Sequence, residues 1–422
     1  MYKDLSPLIL LDNGLKLMLH YHPELPGIHI RANVKMGSCD EPLPRDKGIC
    51  NLIEKICWRG SDKMSTKKVS EVASIGGRFS GGSVHRALTT YHTWCPNDQF
   101  HKGLDLLDNI IFRPRMDAAD LDLEKRLAIM RITADDCDPV THATQMALRN
   151  LYPKHRVAFG MLGTPETVTN MKVTRMRELV RGSHRPQAMI LGLSGNLPPL
   201  DQLEGILSRH AGGFVEKTRA ANAIPLDRNW GDATIGESTR HQEIWGYQGD
   251  WTNVFLFPVP ADVLREDGLI VLSIICKLVG SGINSLLWQK MISGPKPTAH
   301  DVAADFEWLD GIAWVRIIIR SSGERDIDIP ATLDYIEGHM VSHIKDEQIE
   351  QARVAVHADM TVASTDPVAK LATDMEWLSL DTARWSPDLD LPWIGSVDFD
   401  DIRSTLDAIF IGGVHSVFSI SR

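Results

Sequence analysis

The chain has 422 residues, 43% of them hydrophobic and 24% charged, enough to bury more than one sizeable core. Its formal net charge is −10, from 45 Lys+Arg against 55 Asp+Glu, and no long Lys/Arg block interrupts it, which argues against a nucleic-acid partner. The longest apolar run, around Leu269 to Cys276, is broken by Lys277 and falls short of the ~20 apolar residues that a bilayer span needs, so no membrane association is expected.

The opening MYKDLSPLILLDNGLK has neither a charged leader before an apolar core nor an Arg/Ser-rich amphipathic stretch, and the expectation is a cytoplasmic protein. Six cysteines (Cys39, Cys50, Cys57, Cys95, Cys137, Cys276) without a Cys-x-x-Cys pair fit reduced, buried thiols. After the Asn13-Gly14 turn, Leu15, Leu17 and Leu19 alternate with Lys16, Met18 and His20, a strand pattern. From Gly48 the period changes: Ile49, Leu52, Ile53 and Ile56 fall at helical spacing up to Arg59-Gly60. Thr89 to Trp94 reads as a strand. Acidic residues from Asp117 open a long helix predicted to bury Leu123, Leu127, Met130 and Ala134. Ala188 to Leu193 is a further strand.

Gly212 to Thr239 has weak periodicity and is rich in Gly, Ala, Asn and charge, as a linker would be. Strand and helix patterns then begin again: Val254 to Val259, Arg265 to Val279, Leu286 to Met291 and Trp314 to Arg320. This order predicts an α+β chain of two similar domains, residues 1–215 and 241–422, joined by 216–240.

Gly37-Ser38-Cys39-Asp40-Glu41-Pro42, followed by Gly48-Ile49-Cys50-Asn51-Leu52-Ile53-Glu54-Lys55, resembles the opening of the pitrilysin/insulinase (M16) peptidases, of the short two-domain bacterial type. The resemblance continues through Gly76-Gly77, the Leu104 to Pro114 and Glu124 helices, Gly163-Thr164-Pro165-Glu166 and Leu193-Ser194-Gly195-Asn196. It implies two homologous domains, each a mostly antiparallel or mixed sheet packed with helices. In that family a helix carries His-x-x-Glu-His, whose two His ligate zinc from one face beside a general-base Glu. A third ligand, a Glu, comes from a later helix.

In this sequence the two His positions are Asn51 and Lys55, the base position Glu54 is retained, and the family spacing puts the third ligand at Arg131. The supporting Glu124 of that helix remains. Neither an ammonium nor a guanidinium has a lone pair to offer a cation, so no metal is expected here. Lys55 and Arg131 are the right charge to replace the ion between Glu54 and Glu124; the alternative is that both point to solvent.

The resemblance also implies that Phe79-Ser80-Gly81-Gly82-Ser83 forms an edge strand on which a peptide extends the sheet, although Gly81-Gly82 equally suit a turn or bulge. The family's substrate-holding Arg and Tyr of the second half fall at Ile292 and at Ala299 or His300, so that pair is lost. His85, His92, Cys95 and Cys39 lack the spacing of a compact metal knuckle, and His20 with His22 suggests surface histidines. No phosphate loop or Gly-x-Ser-x-Gly elbow is present.

The resemblance therefore implies a non-catalytic subunit that pairs with a zinc-bearing homologue in a heterodimeric peptidase, with no cofactor of its own and zinc expected in the partner. The alternative is a structural or peptide-escort protein of the same fold. Nine Trp from Trp230 onward are assigned to core packing ahead of an interface.

Overall fold

A computed structural model describes residues 8–216, 230–231, 233–245, 249–263, 268–309, 311–323, 327–379 and 394–421. In chain order the first part contains β1 (Leu8–Leu10), β2 (Lys16–Tyr21), β3 (Gly27–Val34), α1 (Ile49–Cys57), α2 (Thr66–Gly76), β4 (Gly81–Val84), β5 (Thr89–Pro96), α3 (Phe100–Phe112), α4 (Ala118–Asp136) and α5 (Pro139–Leu151). It continues with α6 (Pro165–Asn170), α7 (Val173–Ser183), β6 (Met189–Gly195), α8 (Leu200–His210) and α9 (Gly212–Val215). After the expected linker, most of which lies outside the described residues, come β7 (Thr239–Ile244), β8 (Asp250–Val259), α10 (Gly268–Val279), α11 (Leu286–Met291), β9 (Asp301–Leu309) and β10 (Ile312–Ser322). The rest is α12 (Ile329–Asp334), α13 (Asp346–Ser364), α14 (Pro367–Ser379), α15 (Phe399–Phe410) and β11 (Ser416–Ser421). The protein is α+β with two mixed sheets.

The chain forms two compact units, each discontinuous in sequence. One comprises Met1–Thr133, Gly160–Trp230 and Ser364–Ala383; the other comprises Ala134–Phe159, Gly231–Ala363 and Arg384–Arg422. Relative to segments 1–215 and 241–422, the first unit therefore gives up α5 and gains α14.

The first unit's sheet has the order β1-β2-β6-β3-β5-β4, with β2 and β6 parallel and the other pairs antiparallel. On one face Leu17, Leu19, Ile30, Ala32, Leu191 and Leu193 form a core with Leu52, Ile53 and Ile56 of α1 and with Leu104, Leu107 and Ile111 of α3. On the other face Met18 and Ile190 pack against Leu371 and Met375 of α14. A Cβ on Gly192 would lie 2.1 Å from the Met375 sulfur, so this glycine lets the helix approach. The second unit's sheet has the order β7-β11-β8-β10-β9. Phe257, Val315, Ile317 and Val417 share a core with Ile274 of α10 and Leu406 of α15, and α5 covers the opposite face, where the Tyr152 hydroxyl donates to Ala313 O at 3.2 Å.

Three expectations need correction. The α4 stripe is rotated: its buried residues are Leu121, Glu124, Ala128 and Ile132, while Met130 is 67% exposed. A carboxylate turned inward sets this phase, and the cause is described below. His20 is buried, not superficial, because α14 brings Asp374 to 3.3 Å from its Nε2. Cys137 is exposed, whereas the other five thiols are buried and none of the six is in a disulfide. Of the nine late tryptophans, Trp230, Trp251 and Trp314 are buried; Trp385 and Trp393 lie outside the described residues. No described helix is long and apolar enough to cross a membrane.

The α14 side of the first sheet is polar. Ser194 Oγ donates to Pro367 O at 3.1 Å, and Asn33 Nδ2 donates to Ser379 Oγ at 3.2 Å. His29 and His92 meet there with ring centroids 5.9 Å apart. Burial, with His92 and Arg31 adding to it and Asp366 opposing, holds His29 down to about 3; burial and Arg31 hold His92 at about 4. Both rings are neutral when folded, and each would take a proton near 6.5 when unfolded. Their contribution is thus fully present above pH 6.5 and is lost as the pH falls toward 4. Stability measured by denaturant titration is expected to drop by up to about 6 kcal/mol between pH 7 and pH 4, and a His29→Gln variant should flatten that slope.

Candidate functional site

Helix α1 presents Asn51, Glu54 and Lys55 because Ile49, Leu52, Ile53 and Ile56 claim the core-facing stripe. Its N-terminus is fixed by Glu41, whose carboxylate accepts from Gly48 N–H and Cys50 N–H at 3.1 Å. Glu54 is fully buried, with Lys55 Nζ 2.6 Å from its Oε2. Lys55 and the Trp58 side chain are the hydrogen-bonding groups that face this carboxylate. Burial pushes the Glu54 carboxyl above the usual range, while Lys55 and then Arg131 pull the other way.

Helix α4 brings Glu124 and Arg131 to the same place. Glu124 is almost wholly buried, and its Oε2 accepts from Arg131 Nη2 at 3.4 Å. Its Oε1 accepts from Arg59 Nε at 2.7 Å and Nη2 at 2.5 Å. The two carboxylates are therefore matched by three cations, Lys55, Arg59 and Arg131, whose side chains are 29–35% exposed. Arg59 is the residue that sequence reading missed. It sits four residues after Lys55, just past the C-terminal end of α1, and that spacing was the available signal. The α4 rotation follows from this network: a buried Glu with two guanidinium partners is held inward, since removing a partner from a buried ion pair costs about 3–5 kcal/mol.

Among the described residues β4 is an edge strand, paired with β5 only. It starts at Gly81; Phe79 belongs to a preceding single turn of 3-10 helix, and Ser80 bonds Thr93 Oγ1 at 2.7 Å. Of the five residues expected on the strand, Gly81, Gly82 and Ser83 are therefore in it. Gly82 passes directly over the acid. A Cβ there would lie 2.5 Å from Glu54 Oε1 and 2.6 Å from Thr90 O, and Lys55 Nζ approaches Gly82 O at 3.5 Å.

The family's zinc does not fit these side chains. Asn51, Lys55 and Arg131 stand at the three ligand positions, and the last two present cations. Among the described residues no group of three or more His, Cys, Asp and Glu is placed to hold a metal ion. His85 instead contacts Ser83 Oγ at 3.0 Å, and Cys95 is buried beside Ile28 O. In the second unit, Ile292 packs against the core, Ala299 is buried, and His300 Nδ1 contacts Ser322 Oγ at 3.2 Å.

Two outcomes follow. Gly82→Ala should cost about 1–3 kcal/mol in chemical denaturation, because the new methyl meets a backbone carbonyl as well as a carboxylate. The triple variant Asn51→His, Lys55→His, Arg131→Glu should take up near-stoichiometric zinc by metal analysis, against none for the unaltered chain. A folded triple variant without zinc would mean that α1 and α4 no longer present the three positions together.

Residues 20–165 match the sequence model of the family described as Insulinase (Peptidase family M16). A relative in Bacillus subtilis, described as the uncharacterized zinc protease YmxG, is 24% identical over 192 residues, 44% of this chain and 45% of that protein. The chain thus spans less than half the length of that relative, and 61% of the next. A solved protease from Helicobacter pylori superposes with a TM-score of 0.83 at 14% identity, covering 98% of this chain and 99% of that one. A structure described as the peptidase M16 inactive domain from Pseudomonas fluorescens gives 0.81 at 11% identity, covering 98% and 97%. Over residues 20–165 the chain thus matches the insulinase model, peptidase family M16, and its fold is that of solved proteins described as M16 peptidases or peptidase-like domains.

Proposed function

We propose that this chain is a non-catalytic M16 subunit that pairs with a zinc-bearing homologue to form a heterodimeric peptidase and offers β4 as an edge for an extended peptide. The observation that carries this reading is the Arg59–Glu124–Arg131 network beside the Lys55–Glu54 pair. A site that had merely lost its ligands would leave two buried carboxylates uncompensated; here three cations neutralise them, which preserves the wall of the site without its chemistry. A carboxylate without an electrophile to polarise a peptide carbonyl supplies too little for hydrolysis by itself. The open edge of β4 supports the peptide role, since main-chain pairing does not depend on the lost side chains.

The second reading, a structural or peptide-escort protein with no part in proteolysis, draws on one observation. Ile292 and Ala299 offer no polar group at the positions where the family holds a substrate carbonyl.

Co-expression with a zinc-type homologue from the same genome separates the two. On the first reading the proteins co-elute as a 1:1 complex, and peptide cleavage by the homologue rises at least tenfold when this chain is added. A complex that forms with cleavage unchanged favours the second reading. Absence of a complex, with cleavage unchanged, sinks the heterodimer proposal.

A further inference from the structure

The site has more hydrogen-bond donors than the protein satisfies. Arg59 spends two N–H groups on Glu124 Oε1, and Arg131 spends one on Oε2. Arg131 Nε is buried with no acceptor among the described residues, and Asn51 Oδ1 is buried without a donor, whereas the Trp58 indole is engaged with Glu54. Buried polar atoms almost always find partners, and two orphans in one place point to a ligand or ordered water that completes them. The charge balance says which kind of ligand: three cations face two carboxylates, leaving the pocket net positive. A guanidinium fork beside an ammonium is suited to a carboxylate.

The position of these cations ties the ligand to the edge strand. Lys55 Nζ touches both Glu54 and the Gly82 carbonyl of β4. Resting on the edge-strand reading above, we propose that Lys55 and Arg131 recognise a carboxylate on an extended peptide paired to β4. Acidic peptides, or peptides whose free C-terminus falls at this point, are then the ligands the chain selects. The replacement of zinc ligands by cations converts a site for a metal-bound carbonyl into a site for an anion.

Fluorescence anisotropy with the full chain and three labelled decapeptides of otherwise identical neutral sequence tests this. The first carries a central Glu and an amidated C-terminus, the second a central Gln and an amidated C-terminus, and the third a central Gln and a free C-terminal carboxylate. The expected result is that the first or the third binds at least tenfold more tightly than the second at low salt, with the advantage shrinking as salt rises. Preference for the first identifies an acidic side chain, and preference for the third identifies a chain terminus. Arg131→Gln should abolish the advantage of the charged peptide over the second. Equal binding of all three peptides overturns the carboxylate proposal and leaves the edge-strand reading intact. No binding by any of them overturns both. The peptide series on the unaltered chain decides the matter even if the variant does not fold.

Discussion

A carboxylate cannot be left charged and alone inside a protein, and the first unit is organised around two of them. Glu54 and Glu124 sit on different helices, both almost wholly removed from solvent, where an unpaired charge would be costly. Lys55, Arg59 and Arg131 resolve this from the solvent side, with their heads over the acids and their stems covering the helices. The rotation of α4, the position of Arg59 beyond the last helical turn and the close pass of β4 at Gly82 are all consequences of that neutralisation. Glu54 also has a structural task, since it is the partner that keeps Lys55 against the strand.

A different electrostatic solution operates on the far side of the same sheet. There burial keeps His29 and His92 neutral, beside the charged Lys370–Asp374 pair of α14. The two faces therefore respond to acid in opposite ways. Protonating Glu54 relieves burial of a charge, whereas protonating the histidines creates one.

Much of this was legible in the residues. The helical spacing of Ile49 to Ile56, the alternation after Asn13-Gly14 and the replacement of His by Asn51 and Lys55 are local patterns, and they located the sheet, the helix and the altered motif. The charges of Lys55 and Arg131 left two readings open, a cluster with Glu54 and Glu124 or exposure to solvent, and the structure has the first. The misreadings share one cause, which is that a linear pattern records which residues are apolar but not what covers them. Leu123, Leu127 and Met130 form a good stripe, yet a charged residue with partners at Arg59 outcompeted them for the interior. His20 lies on the polar side of an alternating strand and is buried because a helix from more than 340 residues later closes over it. No periodicity within β2 encodes that helix.

The placement of α14 also bears on how the chain becomes a folded protein. The first unit's sheet is complete in sequence by Gly195, but Met18, Ile190 and the buried polar row beside them stay open to water until residues 367–379 are available. During synthesis at a ribosome, well over a hundred further residues are added while that face is bare, an interval in which it is a natural landing place for chaperones or for the wrong helix. The same arrangement makes the first half of the chain a poor independent fragment, and a premature stop anywhere before α14 would leave a sheet with one face unsealed.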